Sequence, residues 1–196
     1  MKYIAVIPQG RSLLTLAIRS LLCLLWLGSL ASLACGEEPT AVTRGDFGNV
    51  TVMELTGNFD ANLADGTSNS APRMALATEF YRTHQDNYDF LIFFTNFDYQ
   101  MLDAETAGFY MAVSNDIRGI GIDLFDFTDL FGSAGKLQGT IDMRSLAANG
   151  TSPLDPEYSH TLNTLEHEIL HRWSAHARFI DADGKPSDAL LGRGGA

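Results

Sequence analysis

The sequence predicts an α/β (α+β) domain whose last element is a helix. Two observations carry this prediction. The alternating stretch 49–55 and the segments 88–95 and 109–113 have the length and pattern of strands. Apolar residues also recur at helical spacing behind Pro72 and again behind Ser159. The order strand, helix, strand, strand, weak strand, helix is that of an α/β layer.

The first segment stands apart. Among the 196 residues, those before Glu37 carry only Lys2, Arg11 and Arg19 as charged side chains, and an apolar run follows from Leu21 to Ala34. A basic start, a short apolar stretch and small residues at its end read as an export signal over residues 1–34. The run is shorter than the about 20 apolar residues that span a bilayer; a permanently inserted anchor is the alternative. Ala31-Ser32-Leu33-Ala34-Cys35-Gly36 resembles the lipobox of bacterial lipoproteins, with Ser32 where that family places an aliphatic residue. The resemblance implies lipid on Cys35, a membrane tether through it, and an envelope or extracellular location. An ordinary signal with a chance cysteine is the plainer reading.

Cys23 lies within the leader, so a lipidated Cys35 leaves the mature domain no thiol to pair. From Cys35 onward the chain has 162 residues, enough for one domain with a sizeable core. It keeps ten basic residues against twenty-four acidic ones, a formal charge of −14. No basic cluster exists for nucleic acid to bind.

Residues 35–48 read as the lipidated N-terminus and a tether, and 49–196 as the domain. A loop rich in Asn, Asp, Gly and Ser fills 57–70. The backing helix starts near Pro72, which a first turn tolerates, and ends around Gln85. The run 88–95 predicts a central strand buried on both faces. Residues 109–113 predict a second, while 119–124 and 137–143 are weaker candidates. Aromatics pin a loop over 125–131, and two prolines break the pattern at 149–157.

The last helix is expected to run from about Ser159 to Ser174 and contains His167-Glu168-Ile169-Leu170-His171, an H-E-x-x-H pattern. Histidines at i and i+4 lie one turn apart, where both can reach one zinc ion, with a carboxylate beside them. With about 100° per residue and His167 at zero, His171 falls near 40°, and Leu165, Ile169, Leu162 and Trp173 fall near 160° to 240°. This spacing predicts that the apolar stripe packs on the sheet while both imidazoles point elsewhere. A solvated polar face is the plain alternative.

The motif and the order of elements over 49–176 resemble the N-terminal subdomain of zincin-type metallopeptidases, which implies a twisted mixed sheet with a backing helix that supports the C-terminal motif helix. That resemblance implies an exported zinc peptidase acting on proteins or peptides. His167 and His171 are then metal ligands, and Glu168 is the general base that takes a proton from zinc-activated water. Zinc of this kind takes a third protein ligand. Here the chain departs from known patterns. The metzincin form H-E-x-x-H-x-x-G-x-x-H would need a Gly and a later His, whereas His176 comes one residue early and no Gly intervenes. On a continuing helix His176 points near 180°, away from the metal, by the same about 100° step. Asp181, Asp183 and Asp188 are the aspartate candidates, though Asp181-Ala182-Asp183-Gly184 reads more simply as a turn between extended pieces. His160 lines up with the pair, but two turns, or about 10 Å, away. The last possibility is a ligand beyond the chain end, with the C-terminal subdomain missing from a truncated enzyme. A non-catalytic zincin-like surface lipoprotein, with a binding or envelope role, is the second reading.

Overall fold

A computed structural model describes residues 3–6, 38–174 and 176–191, leaving aside the side chains of Tyr3, Val6, Ala177 and 188–191. Cys35 and the apolar run before it lie outside these residues. Along the chain come β1 (Tyr3–Val6), β2 (Ala41–Phe47), β3 (Val50–Leu55), α1 (Ala71–Phe80), β4 (Phe90–Thr95) and β5 (Phe109–Ala112). Two short strands follow, β6 (Ser114–Asn115) and β7 (Phe125–Asp126), then β8 (Gly139–Ser145), α2 (Tyr158–Leu170), β9 (His176–Ile180) and β10 (Pro186–Leu191).

Six strands form one mixed sheet in the order β2-β3-β1-β4-β8-β5. β4 and β8 are parallel and the other neighbouring pairs antiparallel. The molecule is therefore a mixed α+β fold with a C-terminal helix. Among the described residues no helix is long and apolar enough to cross a membrane.

One face of the sheet carries the core. Alternation along β3 and β4 turns Met53, Leu55, Leu91 and Phe93 toward α1, where Leu76, Ala77 and Phe80 meet them, all buried. Tyr88 packs edge-on against Phe80 at 5.4 Å, which returns the chain to β4 and stops α1 at Phe80, short of the expected Gln85. The other face of β4 is only half-buried, through Phe90, Ile92 and Phe94, so the expected burial on both faces holds for one.

Two strands lie in segments that the sequence reads as leader and tether. The expected tether contains β2, paired to β3 from Ala41↔Leu55 to Phe47↔Val50. Its alternation is weak, and among the described residues β3 is its one strand partner. Tyr3–Val6, inside the leader, pairs with both β3 and β4, and Ile4 is fully buried. Residues 119–124 form bends rather than a strand, since Gly119 and Gly121 take φ values of 85° and 90°.

Helix α2 differs most from its prediction. Its buried residues are Thr161 and Glu168, continued by Arg172, while Leu162 and Trp173 are 47% and 53% exposed. With His167 at zero, Thr161, Glu168 and Arg172 share a direction near 120° on the helical wheel, by about 100° per residue. The helix thus rests on a polar stripe, and the apolar stripe lies on its flank. Satisfied hydrogen bonds account for this choice, because a buried polar group with a partner costs little. Thr161 Oγ1 accepts from Gly150 N at 2.9 Å. Arg172 Nε donates to Gln138 Oε1 at 2.9 Å.

Candidate metal centre

The site is built where α2 crosses β5 and β8. Gly108, just before β5, makes the approach possible. A Cβ there would stand 3.1 Å from Asp142 O, from Glu168 Cγ and from Thr164 Cγ2. Behind this contact lies a buried polar anchor. Arg73 on α1 and Asp142 on β8 are both fully buried and pair at 2.5 Å. Tyr99 donates its hydroxyl to Asp142 at 3.1 Å, and Arg73 also donates to the carbonyls of Asp60 and Asn69. The guanidinium lies 4.0 Å from the centre of the Phe59 ring. This network ties α1 to the strand beneath the motif.

His167, Glu168 and His171 come together as the sequence predicts. Each offers a ligand atom, and these atoms all lie within 4.8 Å of one another. The two imidazoles are 4.9 Å apart between centroids and nearly perpendicular, at 89°. His171 Nε2 is 3.8 Å from a Glu168 oxygen. Two imidazoles and a carboxylate on one helical turn are a donor set that fits a zinc ion.

Glu168 is buried while His167 is exposed and His171 half-buried. Burial pushes the Glu168 carboxyl above its ordinary value, against the pull of nearby His167 and of the Tyr110 backbone N–H that donates to it. A carboxyl held in this way is suited to accept and return a proton.

The surrounding residues hold the pair in place. Tyr110 lies over His171 with ring centroids 6.4 Å apart and planes 15° from parallel, and its hydroxyl donates to Gln138 O at 3.0 Å. Arg172, directly after the second histidine, donates to Gln138 Oε1, to Asn115 Oδ1 at 3.3 Å and to Asp116. Gly108, Tyr110, Gln138 and Arg172 shape the surroundings of the motif, and the sequence reading does not single them out. Arg172 sits in a helical turn of the motif; nothing local marks the other three.

The group opens onto a cavity of about 800 Å³. Leu102, Phe109, Ile122 and Phe125 supply apolar wall, and His160 and His176 also line it. Helix α2 does not continue to Ser174 as expected. It ends at Leu170, a 3-10 turn covers His171–Trp173, and Ser174 is extended at φ −62°, ψ 132°. His176 therefore faces the cavity instead of pointing away from it. Asp181 stays in the predicted turn, where its Oδ1 accepts from the N–H groups of Asp183 and Lys185, both at 2.9 Å. Asp183 is exposed, and the side chain of Asp188 lies outside the described ones. Neither Asp181 nor Asp183 lines the cavity.

Comparison with protein-family models, curated proteins and solved structures finds no match for this chain.

Proposed function

We propose that the protein is an exported zinc-dependent metallopeptidase that hydrolyses peptide bonds in proteins or peptides. One observation carries the reading: His167, Glu168 and His171 gather their donor atoms within 4.8 Å at the wall of a cavity large enough for a peptide segment. Zinc bound there supplies Lewis acidity and lowers the pKa of water. The chain's own residues do the remaining work. His167 and His171 hold the ion, with His171 oriented by Tyr110. Glu168 takes the proton of the attacking water and delivers it to the leaving amine. The cavity borders β5, which among the described residues pairs only with β8, so an extended peptide can lie beside its other flank. The apolar wall favours substrates with bulky apolar side chains next to the scissile bond. Lipid on Cys35 tethers the enzyme to the envelope in this reading; export and tether rest on the leader sequence.

The test is metal content and hydrolysis together. Purified full-length chain is expected to hold about one equivalent of zinc. His167→Ala and His171→Ala lose it, and Glu168→Gln keeps it while hydrolysis of an unfolded protein substrate stops. Zinc content indifferent to both histidine substitutions removes the site. A second reading is a non-catalytic zincin-like surface lipoprotein with a binding or envelope role. It is favoured by one fact: among the described residues no other His, Cys, Asp or Glu joins the three clustered donors. Stoichiometric zinc with no hydrolysis selects it.

A further inference from the structure

The geometry points to His176 as the third protein ligand of the metal, an assignment that rests on the zinc reading above. Two imidazoles on one helix leave a zinc site short, because a catalytic ion takes three protein ligands and keeps one position open. Glu168 is a poor third ligand if it is to move protons, and its carboxylate already accepts the Tyr110 N–H. Another element must contribute.

Only two further His, Cys, Asp or Glu side chains line the cavity among the described residues, His160 and His176. His160 stands seven residues before His167, roughly 10 Å along the axis at 1.5 Å per residue. Donors on one zinc ion, each about 2 Å from it, cannot be more than about 4 Å apart. His160 is thus excluded by the rigidity of α2. Asp181 is excluded by the hairpin. β9 advances about 3.3 Å per residue, which puts Asp181 roughly 16 Å beyond His176, and its oxygen is committed to the turn.

The chain reversal that delivers His176 is built without glycine or proline. Arg172, in the 3-10 turn that follows α2, is buried and tied to Gln138, Asn115 and Asp116. Ser174 is buried and donates its hydroxyl to Leu170 O at 3.4 Å. The His176 backbone N–H donates to Ile120 O, which fixes the start of β9 at the cavity rim. His176 lines the same cavity but stands outside the cluster of three donors, so the assignment requires its imidazole to move toward the pair when metal binds.

Cobalt and zinc titrations of the full-length protein test this. His176→Ala is expected to weaken zinc at least about 100-fold, at or beyond the upper end of what losing a mere supporting residue costs, while His160→Ala leaves affinity unchanged. His176→Cys is expected to restore tight binding and to give the cobalt protein a thiolate charge-transfer band. Wild-type protein, which carries Cys23 and Cys35, is the blank for that band. The cysteine variant also decides the matter should the alanine variant not fold. Wild-type affinity in His176→Ala, or a folded, cobalt-loaded His176→Cys without the band, overturns the assignment. If instead wild-type protein binds no zinc, or His167→Ala binds it normally, the metal reading itself fails and takes His176 with it. Loss on changing His167 or His171, with none on changing His176, rejects the third ligand alone.

Discussion

Tyr110 shows how one side chain serves both the fold and the site. Burial pushes its phenol from the ordinary 10.0 up to about 12, against the pull of Arg172. The folded state holds this proton more tightly than the unfolded chain does. Its contribution to stability is therefore complete below pH 10 and is lost as pH rises through about 12, at roughly 1.4 kcal/mol for each pH unit between those two values. Tyr110→Phe is expected to flatten the alkaline limb of a pH–stability profile measured by urea unfolding. An unaltered limb counts against the buried hydroxyl. The Arg73–Asp142 pair makes a second residue-level prediction. Asp142→Ala strands a buried guanidinium and should cost about 3–5 kcal/mol, whereas replacing both partners with apolar residues recovers most of that loss. Chemical denaturation of the single and double variants measures it. His167, Glu168 and His171 are legible in the sequence because their relation is local, set by helical periodicity alone. Tyr110 and Gly108 are not, because β5 meets α2 only after the chain has folded.

The elements differ in legibility for a similar reason. β3, β4 and β5 carry their own apolar patterns, and Asp181–Gly184 carries its own turn chemistry; all four are found where the sequence puts them. β2, paired among the described residues with β3 alone, gives too faint an alternation to be read. The facing of α2 departs from expectation because an apolar stripe does not by itself win the sheet. Polar groups with partners win instead: Thr161 with Gly150, Glu168 with Tyr110, Arg172 with Gln138. Gly108→Ala probes that arrangement directly. Its methyl must push aside Glu168, Thr164 or the β8 carbonyl, all 3.1 Å away. The expected loss is about 1–3 kcal/mol in urea unfolding, with weaker zinc binding in the same protein. Unchanged zinc affinity despite lost stability would separate the helix–sheet contact from the metal site.

At the scale of the whole molecule, the layered α+β arrangement is predictable from element order, but the sheet's composition is not. β1 comes from a segment whose sequence reads as a leader, and no local pattern announces that Tyr3–Val6 pairs with β3 and β4. Both neighbours are antiparallel to β1, so they run in the same direction, and α1 connects them. A chain begun at residue 36 lacks β1 entirely. Its expected outcome is closure of β3 directly onto β4, a strand–helix–strand crossover of ordinary type. Closure brings the two halves of the sheet nearer by about 4.8 Å. Spin labels at positions 42 and 112, with Cys23 and Cys35 replaced in the longer chain, measure this. An equal separation in both chains, or failure of the shorter one to fold, refutes it. The N-terminal strand is then a wedge. Long and short forms share every residue of the motif yet hold β8 and β5 at different distances from β2, so trimming the front of the chain resets the frame on which the histidines are mounted.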